Sequence, residues 1–117
     1  MASRVARGDI RIYSFPVPDK ARPVLVLTRD SSIAHLAMIT IAPITLRIRG
    51  VPSEVILGED DGMKSPCVVN LHNLTTVSQQ RLGKRIARLG SFRMEQVCVA
   101  LRFSLGCDTS PEPHSGG

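Results

Sequence analysis

Apolar and polar residues alternate along the first half of the chain, and this alternation predicts a series of short β-strands. In Asp9–Tyr13 the apolar residues Ile10 and Ile12 alternate with the polar residues Asp9 and Arg11, which is typical of a strand with one buried face. The segment Pro23–Thr28 is mostly aliphatic and β-branched, which indicates a strand buried on both faces. By the same criteria, further strands are predicted at residues 36–44, 54–57, 67–71 and 74–77.

Prolines, glycines and short polar runs separate these strands. Two prolines follow the first strand within Phe15–Asp19, and they predict a loop because proline cannot donate a ladder hydrogen bond. A second loop around Gly50 and Pro52 and two polar turns at residues 29–32 and 58–62 are also predicted. The segment Arg85–Leu89 fits a strand or a helix by periodicity, and the glycines that bracket it favour a short strand.

The clearest helix is predicted near the end of the chain. Apolar residues recur there at the spacing of one helix face, namely Met94, Val97, Cys98, Leu101 and Leu105. Ser91 is the expected N-cap, and Gly106 is the expected residue just past the helix end. Burial of this stripe would contribute several kcal/mol at about 25 cal/mol per Å², so we expect the helix to pack on the sheet.

The length of 117 residues and a hydrophobic fraction of 43% suit one packed core rather than two. We expect a single domain over residues 7–107, preceded by a flexible N-terminus at 1–6 and followed by a disordered tail at 108–117. Many short strands with one C-terminal helix predict a mainly β fold with α, built on a strongly curved antiparallel sheet or barrel.

The formal net charge of +5 admits two interpretations, a polyanionic partner or simple solubility. The distribution favours a partner, because basic residues cluster at Arg47 and Arg49 and again over residues 81–88, while acids cluster at 59–61. The chain has no Trp and one Tyr, which argues against RNA or DNA bases stacking on an aromatic sheet face.

The three cysteines are Cys67, Cys98 and Cys107, and they lack the spacing of a zinc site. We therefore expect reduced thiols, no metal and no cofactor. Residues 1–13 show no apolar signal-peptide region, and the most apolar stretch, Ile33–Ile44, is shorter than the ~20 residues that cross a bilayer. The expected location is the cytoplasm, without a membrane partner.

Four segments follow one another in a characteristic order. They are Arg7-Gly8-Asp9-Ile10, Arg22-Pro23-Val24-Leu25-Val26-Leu27, Ala42-Pro43-Ile44-Thr45 with Arg47 and Gly50 after it, and Leu82-Gly83-Lys84-Arg85-Ile86-Ala87-Arg88-Leu89. Each alone is a weak signal, but in this order and spacing they resemble the MazF/PemK family of toxin endoribonucleases. The resemblance spans roughly residues 7–107.

The resemblance implies an SH3-like barrel of the CcdB/PemK type with a C-terminal helix, and a symmetric homodimer. It implies the toxin of a type II toxin-antitoxin system, with a cognate antitoxin protein as partner. The implied activity is metal-independent, sequence-selective cleavage of single-stranded RNA, which leaves a 2′,3′-cyclic phosphate and a 5′-hydroxyl.

The resemblance makes Arg22 and Thr45 the catalytic pair, and the chemistry suits both residue types. Attack of a ribose 2′-OH on its phosphate builds up charge, which the fixed donor fork of a guanidinium can stabilise. A threonine hydroxyl can donate to a phosphate oxygen or position the 2′-OH. Without the neighbouring motifs, Arg22 would be interpreted as a surface residue and Thr45 as the end of a strand.

The identity of the general base stays open. Some relatives carry Asp-Gln where this chain has His72-Asn73, and an imidazole can exchange a proton at neutral pH. His72 is therefore one candidate, although a lone histidine is more often structural. Asp19 and Glu54 are the others. The expected RNA-binding residues are Lys20, Arg47, Arg49 and Asn70.

Two other functions remain possible on the sequence alone. A toxin of the same fold could poison DNA gyrase by protein contact, and a barrel of this kind could bind RNA or protein without catalysis, because fold does not fix function. Arg22 together with Thr45 favours the nuclease.

Overall fold

The computed structural model describes residues 4–16 and 20–108. The predicted tail beyond Asp108, the first three residues of the predicted flexible N-terminus and the candidate base Asp19 lie outside these ranges. No helix within them is long and apolar enough to cross a membrane.

The described part of the chain forms seven strands and two α-helices. The strands are β1 (Asp9–Ser14), β2 (Ala21–Val26), β3 (Met38–Thr45), β4 (Glu54–Leu57), β5 (Cys67–Asn70), β6 (Thr75–Ser78) and β7 (Arg85–Arg88), and the helices are α1 (Asp30–Ile33) and α2 (Ser91–Ser104). Short 3₁₀ turns occur at Glu59–Asp61 and Gln79–Arg81. Each predicted strand is present, and the ambiguous segment at 85–89 is a strand because it pairs with β1. The predicted polar turn at 29–32 contains α1 instead.

Every strand pair is antiparallel, in the order β4-β5-β3-β2-β1-β7, with β6 beside β3. The central strand β3 changes partner on one edge: Met38–Ile41 pairs with β6, whereas Ile44 and Thr45 pair with β5. Pro43 lies between the two stretches and has no N–H to donate. The sheet therefore curls into an antiparallel half-barrel closed by a C-terminal helix, which confirms the predicted fold class.

The second half of β2, Val24–Val26, is buried on both faces, as its apolar run predicts. Leu25 belongs to the larger core, which the curled sheet forms with α2, whereas Val24 and Val26 belong to a second core around Tyr13 and Ile39. A two-residue period divides the side chains between the cores.

The sequence predicts the end of α2 better than its start. Gly106 has φ +70°, and the N–H groups of Gly106 and Cys107 donate to Phe103 O (3.1 Å) and Arg102 O (2.7 Å), which is a Schellman motif. Gly90 is the N-cap and Ser91 is already helical, so the prediction of Ser91 as N-cap is wrong. Leu105 lies past the last helical residue and is 59% exposed, so the buried stripe is shorter than predicted.

A buried carboxylate joins the first and last strands. Asp9 is fully buried, and its Oδ1 accepts a hydrogen bond from Arg88 Nε at 2.8 Å. Its Oδ2 accepts from Ala6 N at 3.0 Å and from Arg11 Nε at 3.2 Å. Burial of a charge is costly without such partners, so this group fixes the sheet edge. Its contacts begin before residue 7, the expected start of the domain.

Candidate functional site

A cleft of about 860 Å³ opens where β2 begins and β3 ends. Its lining residues are Ile12, Arg22, Pro23, Ile44, Thr45, Leu46, Arg47, Gly62, Met63, Lys64, Ser65, Cys67 and Ile86. Ile44 and Cys67 are buried and form its floor, whereas Arg22 and Arg47 are exposed on its walls. The cleft is thus an apolar basin with cationic side chains around it.

Strand register brings Arg22 and Thr45 to the same level of this cleft. The β2–β3 ladder pairs Val24 with Pro43, and two more residues along each strand place position 22 opposite position 45. Thr45 is held on its other side by pairing with Val68 of β5, and Arg22 is held by pairing with Tyr13 of β1. Both positions are therefore fixed by sheet rather than by loop.

The charge of the cleft has one sign. Of the residues that the structure describes in its lining, three are cations and none is a carboxylate; the cations are Arg22, Arg47 and Lys64. A concave surface with charge of one sign concentrates ligands of the opposite charge. The cleft suits a polyanion whose neutral parts can contact apolar walls.

The Cys67 thiol on the floor is a structural group rather than a nucleophile. Burial raises the pKa of Cys67, and the negative charge of Asp61 raises it further. The thiol is therefore protonated at neutral pH, and a protonated thiol is a weak nucleophile. Within the described ranges, no group of three or more His, Cys, Asp or Glu side chains could hold a metal ion.

The structure gathers some of the predicted site residues and separates others. Arg22, Thr45 and Arg47 line the cleft together. Lys20 and Arg49 are exposed and lie outside its lining. His72 is exposed in the turn after β5, where its N–H donates to Asn70 Oδ1 at 3.0 Å. Neither His72 nor Asn70 lines the cleft.

Glu54 is engaged in holding a loop. Its Oε1 accepts hydrogen bonds from Arg49 N at 3.0 Å and from Gly50 N at 2.9 Å. The carboxylate thereby ties the loop at 46–53, which carries Arg47, to the start of β4. Glu54 borders a different groove, between β4 and α2.

Sequence reasoning missed the cleft wall formed by Gly62–Ser65. Only Gly62 was part of a prediction, as the last residue of the polar turn at 58–62. Gly62 has φ +83°, and a Cβ there would lie 3.2 Å from Ala87 Cβ on β7. The loop therefore folds closely against a strand more than twenty residues later in the chain. The basic residue two positions after Gly62 was the available signal, but no local pattern indicates that contact.

Comparison with known proteins gives one consistent result. A family model described as PemK-like, MazF-like toxin of type II toxin-antitoxin system matches residues 6–105. A Mycobacterium tuberculosis protein named Probable endoribonuclease MazF2 is 36% identical over 102 residues, which are 86% of this chain and 98% of that protein.

Solved structures agree with this match. The structure titled Mycobacterium tuberculosis toxin MazF-mt6 superposes with a TM-score of 0.78 and 35% identity, over 86% of this chain and 98% of that one. A structure titled Endoribonuclease in complex with its cognate antitoxin from Mycobacterial species gives a TM-score of 0.81 over 92% of this chain and 100% of that one. At 22% identity, the second structure shows the shared fold alone.

Proposed function

The chain belongs to the PemK-like, MazF-like family of toxins of type II toxin-antitoxin systems, and on that premise we propose that it is a metal-independent endoribonuclease that cuts single-stranded RNA. The observation that carries this proposal is the placement of Arg22 and Thr45 in one cationic cleft. The relatives' names supply the reaction class, and the cleft supplies groups suited to it.

The reaction is an intramolecular transfer at phosphorus. The ribose 2′-oxygen forms a bond to the adjacent phosphorus as the bond from phosphorus to the 5′-oxygen breaks. The 2′-OH loses its proton to a base, and the departing 5′-oxygen gains one. The products are a 2′,3′-cyclic phosphate and a 5′-hydroxyl end.

Arg22 and Thr45 act on the crowded phosphate. The Arg22 guanidinium donates hydrogen bonds to the non-bridging oxygens, where charge builds up in the transition state. The Thr45 hydroxyl donates to a phosphate oxygen or orients the 2′-OH. Arg22 pairs with Tyr13 on β1 and Thr45 pairs with Val68 on β5, which supports fixed positions before the RNA binds, and such preorganisation favours the transition state.

Proton transfer requires a further group, because arginine stays protonated at physiological pH. His72 is our candidate for the base, and the RNA would have to reach the turn after β5 to meet it. Glu54 is a weaker candidate, because its carboxylate already accepts two backbone hydrogen bonds.

The RNA strand continues beyond the cleft along basic residues. Arg47 contacts phosphates inside the cleft, while Lys20 and Arg49 contact them outside it. Asn70 supports the RNA strand near His72.

The cognate antitoxin is a protein whose acidic, extended segment covers Arg47 and Arg49, since a flexible polyanion competes with RNA there. Toxin and antitoxin act in the cytoplasm.

A second copy of this chain completes the toxin as a homodimer. The support is an exposed apolar stripe on α2, formed by Phe92, Val99 and Phe103 at the spacing of one helix face. Ile56 on the edge strand β4 borders the same groove as Val99. Contiguous apolar surface of this kind marks protein interfaces.

The experiment that tests this function is incubation of the purified protein with a long RNA, with and without EDTA, followed by mapping of the ends. We expect cleavage in both samples, with cyclic phosphate and 5′-hydroxyl ends. Cleavage that needs added Mg²⁺ would overturn the metal-independent mechanism. Plasmid cleavage complexes with DNA gyrase, or RNA binding without products, would favour the other two functions.

A further inference from the structure

We propose that Lys64 binds a phosphate of the RNA strand and that the Asp61–Arg93 ion pair positions the loop that carries it. This inference rests on the proposed function and extends its binding site to a third chain segment. Lys64 lines the same cleft as Arg22 and Arg47 but approaches it from the loop between β4 and β5.

The Lys64 ammonium is available for a ligand. The side chain is exposed, and it makes no hydrogen bond or ion pair with any residue in the two described ranges. The guanidinium groups of Arg22 and Arg47 line the same cleft. A concave surface with charge of one sign concentrates ligands of the opposite charge, so the Lys64 ammonium adds a third cation that can meet a phosphate there.

The loop before Lys64 is braced from two sides. Asp61 Oδ2 accepts a hydrogen bond from Gly58 N at 3.0 Å, and Asp61 N donates to Gly58 O at 3.0 Å, which closes the 3₁₀ turn. Asp61 Oδ1 accepts from Arg93 Nε at 3.0 Å, which ties the turn to the first half of α2. Gly62 then packs against Ala87 of β7.

The same ion pair compensates the charge of Asp61, an acid close to the cleft. Burial raises the pKa of Asp61, but hydrogen bonds from Arg93 and Gly58 and the charge of Arg93 outweigh it, so the pKa lies below its usual value. The carboxylate is therefore ionised at neutral pH, and Arg93 compensates its charge. The ion pair holds Lys64 at the cleft and reduces the repulsion between Asp61 and a phosphate.

The test measures binding rather than cutting. A short random-sequence 2′-O-methyl RNA serves as the probe, because it has no free 2′-OH and cannot be cut by the proposed reaction. Its affinity for the full chain is measured between about 50 and 200 mM salt. The variants are Lys64→Ala and, as a charge-matched control, Arg29→Ala, which removes an exposed cation beyond the other end of β2.

Loss of one phosphate contact has a defined signature. The slope of log Kd against log salt concentration should fall by about 0.7 for a single strand, which corresponds to an affinity loss of about 5-fold near 0.1 M salt. Arg29→Ala should leave the slope at its wild-type value. An unchanged slope in Lys64→Ala would overturn the phosphate contact, even if the wild-type protein cuts RNA.

A double-mutant cycle tests the positioning role of the ion pair. Arg93→Met should weaken binding less than Lys64→Ala does, and Lys64→Ala should cost less in the Arg93→Met background than in the wild type. Full additivity would overturn the positioning role. If Arg93→Met does not fold, Asp61→Asn provides the same cycle. Failure of the wild type to cut RNA would overturn the proposed function alone, because the binding assay is independent of cleavage.

Discussion

Arg22 and Thr45 stand opposite each other on β2 and β3, two residues beyond the last Val24–Pro43 pair, where the two strands stop pairing and the cleft begins. One side chain supplies a planar set of donors, and the other supplies a single hydroxyl. Each position is held by pairing with a further strand, Arg22 with Tyr13 of β1 and Thr45 with Val68 of β5.

The first prediction concerns the nucleophile. Replacement of the 2′-OH at the mapped cut position by hydrogen should abolish cleavage there, because the 2′-oxygen itself forms the new bond to phosphorus. Gel analysis of paired oligonucleotides that differ only at this position measures the effect. Normal cutting of the deoxy substrate would indicate attack by water and would contradict the mechanism.

The second prediction concerns Glu54, whose carboxylate holds the loop with Arg47 and Arg49. Glu54→Ala should weaken binding of uncleavable RNA by about 5-fold, because the loop loses the hydrogen bonds that hold it and must be ordered when RNA binds. Hydrogen bonds to a charged group are worth roughly 1.5–3 kcal/mol, and we expect part of that energy to be lost from RNA binding. Glu54→Gln keeps an acceptor oxygen and should lose less.

The Gln variant separates the alternatives for Glu54. If only the negative charge mattered, both variants would bind RNA more tightly. If Glu54 were the general base, both would bind normally and lose at least about 100-fold in the cleavage rate.

The third prediction concerns the apolar stripe on α2. Val99→Glu should convert the proposed homodimer to a monomer in sedimentation velocity, because a charge would be buried without a partner. Gln80→Glu adds the same charge on the exposed 3₁₀ turn after β6 and should leave the dimer intact. A Val99→Glu protein that still sediments as a dimer would place the interface elsewhere.

The fourth prediction concerns pH and Asp61. The pKa of Asp61 is lowered in the folded protein, so its ion pair stabilises the fold above the usual carboxyl value of 3.8 and loses that effect as the pH falls below it. Arg93→Met should cost about 1 kcal/mol at pH 7 and less at pH 3. Urea unfolding at both pH values measures the difference, and an equal cost at the two would contradict the ion pair.

Much of the fold could be predicted because local patterns decide it. The two-residue period of β2 and the Gly106 stop of α2 are encoded in neighbouring residues. Tertiary contacts decide the rest. The strand favoured for Arg85–Leu89 is present at Arg85–Arg88, where it pairs with β1, whereas Leu105, expected on the buried stripe, is exposed and lies past the last residue of α2.

The site divides in the same way. The motif resemblance named Arg22, Thr45 and Arg47, which the structure places in one cleft. Lys64 could not be predicted from its surroundings, because its position depends on Arg93 and Ala87, which lie more than twenty residues away in the chain. His72, Lys20, Arg49 and Asn70 lie outside the cleft lining, and their roles stay predictions.

The central claim is that Arg22 acts on the scissile phosphate together with Thr45. Thr45→Ala should slow cleavage, and the double variant with Arg22→Ala should be less than additive, because the two side chains contact one group. Arg22→Lys should recover little activity, since an ammonium keeps the charge but loses the planar donor fork.

The most direct measurement is the single-turnover cleavage rate of Arg22→Ala on RNA with the mapped motif, beside its melting temperature and its affinity for uncleavable RNA. Removal of a transition-state donor should slow cleavage by at least about 100-fold, while the variant folds and binds RNA. A well-folded Arg22→Ala protein that cuts at close to the wild-type rate, while His72→Ala abolishes cleavage, would contradict the account.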